Sequence, residues 1–75
     1  MIDVQLKSIN NAKLEIYTLH LKMTDKLPDI QEQIKSLTGC DPEHYFLIHK
    51  EKTIEPHFDM AIYDIKPDDI FYLVS

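Results

Sequence analysis

Four histidines (His20, His44, His49, His57), one cysteine (Cys40) and one pair of adjacent aspartates (Asp68–Asp69) are the residues with chemistry to offer. Imidazole, thiolate and carboxylate are the groups of metal sites and of nucleophilic catalysis. Their spacing argues against each use. His44 and His49 lie five apart in a segment that reads as a strand, which sends them to opposite faces. One cysteine, with no Cys–x–x–Cys pair, makes no structural zinc site. Cys40 and His44 are a nucleophile and a base in composition only. A two-layer domain of 75 residues has little room for the concave pocket that an enzyme needs. Asp68–Asp69 follows Lys66–Pro67 and reads as a solvated turn. Gly39 is the sole glycine, so no glycine-rich phosphate loop can form. The expectation is a chain without catalytic, metal or cofactor residues.

The elements around these residues say more. Seventy-five residues make one domain, spanning 1–75, with a thin core. Hydrophobic residues at 44% are too many for a disordered chain. No stretch approaches the roughly 18 apolar residues of a membrane span, and the alternating start "MIDVQLKSI" does not read as a signal peptide. A lone cysteine fits a reducing compartment, so the expected location is intracellular, cytoplasmic or nuclear. Net charge is −5, and residues 38–75 hold Lys50, Lys52 and Lys66 against eight of the 13 acids. Such a field disfavours polyanions, so neither nucleic acid nor an acidic membrane is an expected partner.

Ile2, Val4 and Leu6 alternate as in a strand, and Asn10–Asn11 suits a tight turn. The return strand "KLEIYTLHL" carries two conflicting apolar sets, Leu14 and Ile16 against Tyr17, Leu19 and Leu21. Its register stays open at this level, and a bulge is one way to reconcile the sets. Leu27, Ile30, Ile34 and Leu37 then form one helical stripe, with Pro28 in the first turn and Thr24 or Asp25 as candidate cap. Gly39 follows the stripe. The residue past a helix end often needs left-handed angles, which accounts for a glycine there, and Asp41–Pro42 prevents the helix from resuming. Cys40 reads as a small apolar plug beneath that reversal. "HYFLIHKEKTI" is a third strand, "EPHFDMAIYDIKPDD" an irregular connection, and "IFYLVS" a last strand suited to the middle of the sheet. The fold class is α+β, a mixed four- to five-stranded sheet with one helix across one face.

From Leu21 to Val74 the chain resembles ubiquitin in gapless spacing. The resemblance is carried by "LKMTDKL", by Ile30, Ile34, Gly39 and Pro42, and by "FLIHKEKTIE", "MAIYDI" and "IFYLV". It implies a ubiquitin-like β-grasp fold. It also implies that Tyr63 bonds backbone near Glu55, and that Met60, Tyr63 and Ile65 pin the long connection to the core. Conjugated members of this family end in a Gly–Gly tail, and the sequence stops at Ser75, about where such a tail begins. The reading is therefore a non-conjugated interaction domain, a module of a larger protein. The alternative is a protein modifier whose Gly–Gly tail lies outside this sequence. Lys52 matches a lysine that ubiquitin uses for chain linkage.

One helix covers one side of a sheet. In "YFLIH" Leu47 takes one side, Phe46 and Ile48 the other. In "IFYLVS" Phe71 and Leu73 oppose Ile70, Tyr72 and Val74. If Leu47, Phe71 and Leu73 meet the helix, the rest form an apolar cluster on an open face, which marks an interaction site. The resemblance indicates the same place: Ile48 and Val74 fall on ubiquitin's recognition patch, Tyr72 replaces its histidine, Phe46 replaces a flanking arginine, and Ile9 stands near the leucine of its first turn. The expected partner-binding residues are Phe46, Ile48, Lys52, Tyr72 and Val74. The expected partner is a protein: a ubiquitin-receptor-like or proteasomal one, or a neighbouring domain of the same chain.

Overall fold

The computed structural model describes residues 1–10 and 13–74. Among these residues, five strands and one α-helix follow in the order β1 (Ile2–Asn10), β2 (Lys13–Leu21), α1 (Leu27–Thr38), β3 (Phe46–His49), β4 (Lys52–Thr53) and β5 (Ile70–Val74). Short 3-10 helices, Pro42–His44 and Met60–Tyr63, sit in the connections. The strands lie in the order β2-β1-β5-β3-β4. Only β1 and β5 run parallel; the other neighbours are antiparallel. This is an α+β domain with a mixed sheet and one helix, consistent with a β-grasp. The last strand takes the central position expected of it.

Pairing resolves the conflict within β2. The register runs unbroken from Ile2 opposite Leu21 to Asn10 opposite Lys13, without a bulge. It aligns Val4 with Leu19 and Leu6 with Tyr17, so the larger apolar set turns inward and Leu14 and Ile16 turn out. Each aliphatic side chain fully buried contributes about 1.5–3 kcal/mol, and a one-residue slip would forfeit several at once. The expected Asn10–Asn11 turn falls partly outside the described residues.

The helix packs on this inner face through Ile30 and Ile34, both fully buried, with Leu27 partly covered. Leu37, the fourth residue of the stripe, remains 43% exposed. The cap also differs from expectation. Lys26 is the N-cap residue, and Asp29 within the first turn accepts its backbone N–H at 2.9 Å. Asp25 is occupied one step earlier, where its carboxylate accepts the Lys22 N–H at 2.9 Å. At the other end Gly39 adopts φ 74°, ψ 3° and donates its N–H to the Lys35 carbonyl at 2.9 Å. These left-handed angles are why the single glycine stands there. Cys40 is half-buried against the core, as a plug should be.

The long connection is tied to the helix start. Met60 and Ala61 donate their N–H groups to the carbonyls of Asp25 and Met23, at 2.8 and 3.0 Å. Met60 and Ile65 are buried and Tyr63 packs against the core. The Glu55 N–H donates to the Tyr63 hydroxyl at 2.7 Å, the bond that the resemblance implied. Among the described residues no helix is long and apolar enough to cross a membrane.

Candidate docking face

Cross-strand register places the outward side chains in rows. Phe46 pairs with Val74, Ile48 with Tyr72, and Tyr72 on its other side with Lys7, which in turn pairs with Ile16. Ile9 pairs with Leu14. Further along the same face the rows turn polar: Gln5 between Thr18 and Ile70, then Asp3 opposite His20. Apolarity is therefore concentrated at one end of the face, toward the end of β5 and the start of β3. Phe46 is 66% exposed, Ile9 and the Leu14–Ile16 pair are exposed by more than half, Tyr72 and Val74 by nearly half, and Ile48 and Ile70 are half-buried. Leu47, Phe71 and Leu73 are buried on the helix side, the division that strand alternation predicted.

Charge follows the same division. The only carboxylate in these rows is Asp3, at the polar end, held by the His20 ring at 2.7 Å. Lys7 is the only cation in the apolar rows, half-buried between Ile16 and Tyr72. A shallow groove of about 280 Å³ runs along Lys7, Ile9, Leu14, Tyr72 and Val74. The hairpin thus enlarges the patch: sequence reasoning placed Phe46, Ile48, Ile70, Tyr72 and Val74 there but missed Leu14, Ile16 and Lys7. The signal was present in the β2 alternation, yet unreadable until the register was fixed.

The structure brings Phe46, Ile48, Tyr72 and Val74 together and leaves Lys52 apart. Lys52 pairs with His49, and so belongs to the opposite face at the sheet edge. There it lines a separate groove with Lys50, Glu55, Phe58 and Ile62. The turn joining β3 to β4 uses left-handed angles at Lys50 (φ 50°) and Glu51 (φ 67°), as a two-residue hairpin of matching twist requires.

Two of the histidine and carboxylate expectations change. His44 lies in the Pro42–His44 turn, not on a strand. His49 is 2% exposed on the helix side, tilted against Phe71 with ring centroids 5.1 Å apart. Its Nε2 meets the Asp69 carboxylate at 2.8 Å. Asp69 is therefore not simply solvated. It also accepts the Lys66 N–H at 3.0 Å, and its pKa is held below the usual carboxylate range by the His49 bond first and the Lys66 N–H next. This pair fastens the end of β3 to the turn before β5. Tyr45 is buried with no partner for its hydroxyl, and burial pushes its pKa up to about 12. Among the described residues no group of three or more His, Cys, Asp or Glu is placed to hold a metal ion.

Comparison with models of known protein families gives no match, and no curated protein matches the chain.

Proposed function

We propose that this chain is a ubiquitin-like, non-conjugated interaction domain within a larger intracellular protein, without catalytic activity. It docks a protein partner through Phe46, Ile48, Tyr72 and Val74. One observation carries the reading: the exposed Phe46, Tyr72 and Val74, with the half-buried Ile48, form a contiguous cluster on the sheet face that helix α1 leaves uncovered. A monomer rarely leaves such a cluster exposed without use. Aromatic residues dominate interface hot spots, and Phe46 and Tyr72 occupy adjacent outward rows. The ubiquitin-like assignment is supported by the spacing of the sequence motifs, by the sheet order and by the Tyr63–Glu55 bond.

The rim sets selectivity. Phe46 stands where ubiquitin has an arginine and Glu51 where it has a glycine, and Lys7 remains the one cation in the apolar rows. Ubiquitin-receptor helices with strongly acidic ends therefore bind this domain less tightly than they bind ubiquitin, and helices with few acids are preferred. Calorimetric titration with proteasomal and ubiquitin-receptor helices tests this. The expected result is binding that Tyr72→Asp abolishes and that salt changes little. Tight binding to acidic helices that collapses in high salt would overturn the selectivity, and binding indifferent to Tyr72→Asp would overturn the docking face.

A further inference from the structure

The nine-residue strand β2 is an edge of the sheet. At His20 its outer backbone groups are taken. Gln33 of α1 accepts the His20 N–H at 3.0 Å and donates its own amide to the His20 carbonyl at 2.5 Å. In an antiparallel strand, alternate residues direct both backbone groups to the same side. Leu14, Ile16 and Thr18 therefore present their N–H and C=O groups outward as His20 does. The opposite edge, β4, is only two residues long and is blunted by that shortness. Along Leu14–Thr18 there is no proline and no bulge, and Glu15 is the only charge.

We propose that a second copy of this chain pairs at this edge, β2 against β2 in antiparallel sense, with the two-fold axis at Ile16. Ile16 then faces Ile16 of the other copy, and Leu14 faces Thr18, so every outward backbone group of the three residues is satisfied. Neighbouring registers fail for stated reasons. An axis at Glu15 sets two carboxylates opposite each other, which is destabilising. An axis at Tyr17 runs Leu14 into the edge of His20, which Gln33 already occupies. With the axis at Ile16, Glu15 instead faces Tyr17 of the second copy, an uncharged side chain whose hydroxyl donates to Glu15 of its own chain.

Charge supplies the complementarity on the helix side. In this register Lys13 faces Leu19 of the second copy, beside the groove lined by Thr18, His20, Glu32, Gln33, Ser36 and Leu37. The lysine stem covers the exposed Leu37 and its ammonium meets Glu32, once on each side of the axis. Leu37, left uncovered in the single chain, acquires a packing partner. On the other side Ile16 meets Ile16 of the second copy across the axis with Leu14 beside it, and these residues, both 55% exposed in the single chain, join two docking faces into one continuous sheet surface. The pairing rests on the edge and not on the docking proposal.

Sedimentation velocity from about 1 µM to 1 mM, the range of modest interfaces, tests the pairing. The expected result is a concentration-dependent doubling of mass. Ile16→Pro abolishes it: the Ile16 N–H points away from β1, so the single chain loses no hydrogen bond. Lys13→Glu weakens association by about tenfold or more, and the double variant Lys13→Glu/Glu32→Lys restores it. The charge exchange involves exposed residues, and it decides the matter even if the proline variant misfolds. A mass that stays monomeric at 1 mM, a dimer unaffected by the charge reversal, or a monomer that takes up extended peptides at this edge would each overturn the proposal.

Discussion

Phe46 and Phe71 offer a direct contrast, because the same side chain occurs on adjacent strands with opposite orientation. Phe71 is fully buried, and Phe46 is 66% exposed. Truncating a fully buried phenylalanine costs about 3–5 kcal/mol, transfer and cavity together. Phe46 keeps about one third of its surface from water, and full burial of such a side chain contributes about 1.5–3 kcal/mol. Phe46→Ala should therefore cost about 0.5–1 kcal/mol, with no cavity to add. A domain of this length is stable by about 4–11 kcal/mol, at roughly 0.05–0.15 kcal/mol per residue. Phe71→Ala consumes much of that margin, while Phe46→Ala leaves a folded protein with Tm lowered by about 2–8 °C. Urea denaturation at low protein concentration reads both variants. A Phe46→Ala cost of 2 kcal/mol or more, on the scale of a buried residue, would mean that other residues cover the open face in solution. The docking proposal would lose its basis.

Three other perturbations have outcomes set by single residues. Gly39→Ala costs about 1 kcal/mol: a methyl group there would meet nothing within 4 Å, so only the left-handed backbone opposes it, less the gain from a stiffer unfolded chain. Thermal melts check it, and an alanine variant as stable as the parent contradicts the helix-stop account. Tyr45→Phe is neutral or stabilising by up to about 1–2 kcal/mol, since it removes a buried hydroxyl that lacks a partner; a clear loss in urea titration would mean that the hydroxyl is bonded after all. The depressed pKa of Asp69 makes the unfolded chain bind its proton first. Its stabilisation is thus fully present above the unfolded value of about 3.9 and is lost as pH falls through the lower folded value. Asp69→Asn should flatten that acid limb in pH-resolved melts, and an unchanged limb would count against the His49–Asp69 pair.

Much of the fold was legible because local pattern and global arrangement agree. Period two in β1, the Ile30–Ile34 stripe, Gly39 at the helix end and the alternation of β3 and β5 each read directly onto an element. What failed depended on partners distant in sequence. The β2 register needed the strand opposite it to choose between two apolar sets. Leu37 belongs to the helical stripe by spacing, but the sheet ends beneath it, so it overhangs an edge. The helix cap went to Lys26 because Asp25 already closes the preceding turn. His49 and Asp69 lie 20 residues apart, and no local rule joins a strand-end histidine to a turn aspartate. The open sheet face was half legible for the same reason. Its β3 and β5 residues follow from alternation alone, whereas Leu14 and Ile16 wait on the register, and Lys52 was drawn to the face by resemblance when its pairing with His49 sends it elsewhere.

Which face of the sheet a partner touches decides the proposed function. Amide chemical-shift mapping of the labelled domain, titrated with ubiquitin-receptor helices and proteasomal receptors, reads this directly. The predicted result is shifts centred on Phe46, Ile48, Tyr72 and Val74, extending to Lys7, Leu14 and Ile16. Shifts confined to Leu27–Thr38 and the long connection, with the open face silent, would contradict it.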